Sequence, residues 1–219
     1  MVDIFDEVEE DLRAERAEKL ARQYGWVVVL AAILIIAGVA GWKFYQFRAA
    51  RRDAAVATQY IGIMNTIAQG PAILKTGRIA LAQPLEQLAN AAPEGYRTLS
   101  RLRAAGLLAD AGDIQGAVNQ YNAVVTDTQA DPVLRDLATL LSTGWQIDKA
   151  DPQMLAARVG PLALPDSPWA PLAQEQLALL DLRQGKTDDA RTKLKALASN
   201  ILAPAGVRAR ATALLQGLG

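Results

Sequence analysis

The stretch YRTLSRLRAAGLLADAGDIQGAVNQYNAVV, residues 96–125, decides the fold. Leu99, Leu102, Ala105 and Leu108 recur at three-residue intervals, which lines one face of an α-helix over 96–111. Gly112 supplies the left-handed turn that ends such a helix. Asp113 has the side chain that caps the next one, which buries Ala117, Tyr121 and Val124. The reading is a helical hairpin turned at Gly112.

The same arrangement returns in LAQEQLALLDLRQGKTDDARTKLKALA, residues 172–198. Leu177, Ala178 and Leu182 precede Gly185, and Ala190, Leu194 and Leu197 follow it. Gly112 to Gly185 is 73 residues, and so is Ala117 to Ala190. That is two units of about 34 residues with a small insertion, the tetratricopeptide period. A weaker copy precedes them, with Leu81, Leu85, Leu88 and Pro93 fitting the second helix of an earlier unit.

Outward from these hairpins, more helices are expected. Arg48 to Gln69 reads as helical, with Ala55, Tyr60, Ile63, Met64 and Ile67 buried. Gly70-Pro71 interrupts it, and the chain is expected to be irregular to Gly77. A shorter helix then reaches Ala91, with Pro84 near its first turn, where a missing N–H costs little. Asp131-Pro132, Asp151-Pro152 and Ser167-Pro168 each pair a capping side chain with a proline at the first helical position. Pro204 to Leu215 reads as a terminal helix covering the end of the stack. With 42 alanines among the 219 residues, the soluble part is expected to be all-helical.

Gln23 to Trp42 is a run of twenty residues without a charge, WVVVLAAILIIAGVAGW at its centre. As a helix it is about 30 Å long, the thickness of a bilayer core. Trp26 and Trp42 bracket it as anchors at the headgroup level. Ala37 and Gly41 form one pair of small residues that lets another membrane helix approach closely. Eight acids against four bases precede the run, unlike the short positive region of a cleaved signal, so the span is read as an uncleaved anchor. Four bases on either side leave its orientation undecided by charge. The domains are therefore an acidic tail over 1–22, a transmembrane helix over 23–47 and a helical domain over 48–219. In the tail, Phe5, Val8, Leu12 and Leu20 could share one side of a helix.

Composition narrows the chemistry. Cysteine and histidine are both absent, which removes disulfides, Cys/His metal sites, thiol catalysis and imidazole mechanisms. Net charge is +0, with no basic excess to suit nucleic acid. Asp188-Asp189, and Asp148 with Asp151, read as helix-start charge favoured by the helix dipole. Gly185-Lys186-Thr187 matches only the tail of a phosphate-binding loop and lies between helices. Tyr96, Tyr121 and Trp145 are read as repeat core rather than a stacking platform, whereas Trp169 could be exposed. No catalytic residue, cofactor or metal is expected.

A tail, one span and a degenerate repeat domain form a layout that resembles the ancillary Sec-translocon subunit family of Gram-negative inner membranes. The span Trp26 to Trp42, YRTLSRLRAAGLLADAGD and GKTDDARTKLKAL carry the resemblance, and the opening DIFDEVEEDLRAERAEKL is similar to alphaproteobacterial members. The resemblance implies a cytoplasmic tail, a single pass through the inner membrane and a periplasmic tetratricopeptide-like α-solenoid. It also implies Sec-translocon subunits, a periplasmic chaperone or membrane-anchored peptidyl-prolyl isomerase, and client polypeptides as partners. The function expected is a non-enzymatic, membrane-tethered interaction module assisting proteins that enter the periplasm. A structural scaffold in an envelope complex for division or wall synthesis is the alternative. Arg97 with Arg101, and Arg191 with Lys195, lie one helical turn apart and could form a partner-binding patch; the plainer reading is a solvated face.

Overall fold

The computed structural model describes the backbone of residues 4–69 and 75–218, and the side chains of 22, 24, 26, 27, 29–69 and 76–218. All regular structure among the described residues is helical: α1 (Ile4–Gln69), α2 (Lys75–Ala91), α3 (Glu94–Ala111), α4 (Ile114–Val125), α5 (Pro132–Gln146), α6 (Pro152–Val159), α7 (Ala170–Arg183), α8 (Thr187–Ser199) and α9 (Ala205–Gly217). A 3₁₀ turn, Gly160–Ala163, extends α6. The chain divides into two units, Met1–Ala54 and Ala55–Gly219.

The described part of the first unit is α1 as far as Ala54. From Val29 onward this helix is long and apolar enough to cross a membrane, and none of its apolar window is buried within the protein. Trp26 and Trp42 are 67% and 64% exposed. Ala37 is exposed, and space around Gly41 is open. Where the apolar run ends, the Arg48 guanidinium lies 4.7 Å from the centre of the Phe44 ring and that of Arg51 lies 4.4 Å from Phe47. These are cation–π pairs four residues apart on one helix. The Phe5, Val8, Leu12 and Leu20 side chains, and residues 70–74 of the stretch expected to be irregular, lie outside the described residues.

The second unit is a stack of antiparallel helices. Gly112 has φ +89° and Gly185 φ +74°, conformations that a Cβ would strain. The Gly112 and Asp113 amides donate to the Ala109 and Leu108 carbonyls, closing the end of α3. Three aspartates start helices: Asp113 accepts from Gly116 N at 2.9 Å, Asp131 from Val133 N at 2.7 Å and Asp151 from Gln153 N at 2.8 Å. Pro132 and Pro152 follow the last two caps at helix starts.

Three clusters hold the stack. Leu85, Ala105, Leu108, Ala117, Tyr121 and Val124 join α2 to α4, with Tyr60, Ile63 and Ile67 of α1 packed against them. Leu140, Val159, Leu162 and Ala173 join α5, α6 and α7. Ala178, Leu194, Leu197, Val207 and Ala211 join α7, α8 and α9. Ala105, Ala117, Ala178 and Ala190 are wholly buried, as is Leu194. Small side chains at crossings let helices approach closely, which is the use of so much alanine.

Several local expectations are corrected. Leu99 is 40% exposed, and Leu102 is half-buried rather than core. Because α3 packs against both α2 and α4, its buried surface is broader than one stripe and takes in Thr98, Ala104 and Leu107. Leu177 and Leu182 are likewise only half-buried, as are Tyr60, Ile63, Met64 and Ile67, and Ala55 is exposed. Helix α2 already runs at Lys75, so Pro84 lies well inside it. The lost hydrogen bond is offset by burial of Ala82, Leu85 and Ala89 around it. Helix α7 starts at Ala170 rather than Pro168, with Pro171 in its first turn. Ser167 instead accepts from the Trp169 amide at 3.2 Å, within the preceding turn.

Candidate partner-binding groove

Three side chains from α7 and the turn before it reach carbonyls of α5 or the turn after it. Trp169 Nε1 donates to Val133 O at 3.1 Å, Gln176 Nε2 to Leu140 O at 2.9 Å and Arg183 to Ile147 O at 2.7 Å. Each pair is separated by 36 residues, and successive pairs are seven residues apart. Seven residues are about two helical turns, so the contacts fall along one face of each helix. The two helices therefore run parallel as equivalent members of successive repeats. Arg183 also bonds Ala150 O.

Helix α9 joins the same series. Arg210 Nε and NH2 donate to the two oxygens of Glu175, both at 2.6 Å. This forked geometry is the strong form of an ion pair, and bonding to Glu175 holds the Arg210 pKa above its ordinary value. Glu175 is 6% exposed. Arg191 of α8 donates to Leu218 O at 2.7 Å, tying down the end of α9.

Between α5, α7 and α9 lies a groove of about 730 Å³. Leu172, Leu179 and Leu182 of α7 form its floor, and Leu214 and Leu218 line its α9 side. Gly144 and Ile147 close the α5 side. A methyl group added at Gly144 would come within 3.3 Å of Gln176 Nε2, so the small residue makes room for that amide. Gln176 lines the groove, and its Oε1 is buried with no hydrogen-bond partner. An unsatisfied buried acceptor costs about 1–3 kcal/mol. The site can thus hold apolar side chains, with the Glu175–Arg210 pair at its polar edge.

The cations expected to form a binding patch lie elsewhere, and three of the four are engaged by the fold. Arg97 bonds Asp127 at 3.4 Å and Gln129 at 3.2 Å. Arg101 bonds the Ala123 carbonyl at 3.2 Å and Asp127 at 3.4 Å. Both fasten α3 to the end of α4, where positive charge suits the helix dipole. Arg191 holds α9, and Lys195 is exposed. The aromatic residues do not assemble either. The Tyr96 ring lies 5.7 Å from Tyr60, Tyr121 is 2% exposed, and Trp145 is 40% exposed. Trp169 is half-buried against the middle cluster. Asp151 caps α6, and Asp188 and Asp189 occupy the first turn of α8. Lys186 of the Gly185-Lys186-Thr187 turn is the residue before α8.

Leu177, Ala178 and Leu182 do not form one buried face: Ala178 packs against α8 and α9 and Leu177 against the middle cluster, whereas Leu182 lines the groove. Leu172, Leu179 and Leu182, with Gln176 between them, share another face of α7. Their spacing was visible in the sequence, but a single helix cannot say which of two apolar faces finds a neighbour.

No curated protein and no solved structure matches this chain. A family model described as a tetratricopeptide repeat-like domain matches residues 20–154, which take in the apolar helix and the hairpins through the start of α6. Domains of this kind are typically non-enzymatic and bind other proteins. The helical hairpins, the two left-handed glycine turns and this match agree, and the chain belongs to the tetratricopeptide repeat-like domain family.

Proposed function

We propose that this protein is a membrane-tethered interaction module ancillary to the Sec translocon, and that partners bind the groove between α5, α7 and α9. The observation that carries the groove reading is its row of leucines, Leu172, Leu179 and Leu182 of α7 with Leu214 and Leu218, left open between α5, α7 and α9. A polypeptide segment supplies aliphatic side chains for these leucines. Stacked hairpins present such grooves without needing chemistry. The exposed apolar part of α1 supports anchoring in a bilayer, and tethering raises the local concentration of the domain beside membrane partners. The layout resembling ancillary translocon subunits supports a cytoplasmic tail and a periplasmic domain in the bacterial inner membrane. It also supports translocon subunits, a periplasmic chaperone or membrane-anchored peptidyl-prolyl isomerase, and exported clients as partners.

The test is a pull-down of the full-length chain after gentle solubilisation, comparing wild type with Leu179→Glu. Leu179 lines the groove and is only half-buried, so the change places a charge there with little cost to folding. Wild type should recover translocon subunits and an isomerase, and the variant should lose the groove-bound partner. Lys195→Glu, outside the groove, should behave as wild type. Recovery of division or wall-synthesis proteins instead would favour the scaffold reading. Identical recovery by wild type and Leu179→Glu would remove the groove from the account.

A further inference from the structure

The first unit carries a basic cluster where its apolar run ends. Lys43, Arg48, Arg51 and Arg52 fall within ten residues, and Asp53 is the one acid between Gln23 and Gln69. All five side chains are exposed. At about 3.6 residues per turn, Lys43, Phe47, Arg51, Phe44, Arg48 and Arg52 follow one another around half of the helix. Asp53 falls on the other half by the same count. None of the four bases takes part in an ion pair among the described residues.

Two of these cations are held by aromatic rings. The Arg48 guanidinium lies over the Phe44 ring at 4.7 Å, and that of Arg51 over Phe47 at 4.4 Å. A guanidinium over a ring engages its flat face, which leaves its in-plane N–H groups to donate. Those N–H groups form a fork that fits two oxygens of one phosphate. Phe44 and Phe47 follow Trp42 at the end of the apolar run, where aromatic rings settle at the headgroup level. Side chains already held in place lose less freedom on binding than mobile ones.

We propose that this end of the anchor selects phospholipids of net negative charge. Arg48 and Arg51 hold the lipid phosphate, and Lys43 and Arg52 add attraction from the same side of the helix. The proposal rests on the membrane-tether reading and goes beyond the groove. The occupant follows from the helix itself, because one continuous α1 carries both the apolar run and the cluster. A bilayer around the run therefore brings its own phosphates to these bases. Charge sets the choice among lipids: four bases attract a headgroup whose phosphate charge is uncompensated and repel the cation of a choline headgroup. All of these residues belong to the first unit.

The test places the full-length chain in phosphatidylcholine vesicles with a trace of spin-labelled phosphatidylglycerol or phosphatidylcholine. The fraction of each labelled lipid slowed at the protein surface gives their relative association. Phosphatidylglycerol should be preferred at least about twofold, as expected of several bases beside a span, and added salt should reduce the preference. Arg48→Gln combined with Arg51→Gln should remove most of it. Arg48→Lys combined with Arg51→Lys keeps the charge without the fork and should retain only part. Lys195→Gln, exposed on α8, should match wild type. Slowed lipid without any preference would overturn the selection and leave the tether standing. A full preference in the glutamine pair would place it at other bases of the chain, and a full preference in the lysine pair would reduce it to plain charge. Either result overturns the assignment to Arg48 and Arg51. Loss of the preference in inorganic phosphate, but not in chloride of equal ionic strength, would assign the cluster to free phosphate and overturn the lipid. Absence of any slowed lipid would overturn the tether and, with it, this proposal.

Discussion

Replacing Arg210 by methionine should loosen the joint between α7 and α9. Two hydrogen bonds of 2.6 Å to Glu175 would be lost, and the carboxylate would stay behind at a residue only 6% exposed. Breaking a fully buried pair this way costs about 3–5 kcal/mol, and breaking an exposed one about 0–1 kcal/mol. The Glu175 side chain is 9% exposed but that of Arg210 is 55% exposed, so solvent screens half of the pair. An intermediate loss of about 2 kcal/mol follows. For a domain of this size that corresponds to roughly 4–8 °C in melting temperature. Glu175→Gln should cost about 1 kcal/mol, since the amide oxygen still accepts from Arg210, which is half exposed, and only the charge and one of the two bonds are lost. The double variant should then be more stable than the sum of the single changes by about 1 kcal/mol. The assay is urea unfolding of the four full-length proteins in detergent micelles. Fluorescence of Trp145 and Trp169 would report on the repeat domain. Wild-type stability in Arg210→Met, or strict additivity across the cycle, would refute the claim that this pair joins the last two repeats.

Other consequences are open to direct measurement. Gly112→Val and Gly185→Val should each destabilise the domain by about 1 kcal/mol or more, because both positions need positive φ; unchanged melting of both variants would contradict this. Burial pushes the Tyr121 phenol above its ordinary pKa, against a smaller opposing effect of Trp145. The unfolded chain therefore loses this proton first, so titration of Tyr121 should leave stability unchanged near neutral pH and lower it as pH rises through the ordinary tyrosine range toward the folded value. Urea titrations at a series of alkaline pH values, with Tyr121→Phe as reference, would check the sign: the variant should lose less stability than wild type.

Much of this protein was legible one segment at a time. The uncharged run from Gln23 to Trp42 needs no neighbour to be recognised, because length and hydropathy are properties of the segment itself. The turns at Gly112 and Gly185, and the caps at Asp113, Asp131 and Asp151, are also local, since each depends on a backbone angle or a bond within three residues. Alanine spacing then indicated close-packed hairpins of tetratricopeptide length. Local signals misled where packing outweighed them. Pro84 looked like a helix start, yet burial of its neighbours carries α2 through it.

What the tertiary structure alone decided is which faces meet. Leu177 and Leu179 are equally apolar in sequence, but only the latter lines the groove, because α5 and α9 flank that side of α7. The partner of Glu175 lies 35 residues away, and those of Arg97 lie 30 and 32 residues away. No local rule links charges at such distances, so an arginine that braces the fold and one free to bind look alike until the chain is closed. Gln176 Oε1 carries this furthest: its lack of a partner depends on every helix around it, and no sequence pattern records a bond that is not made.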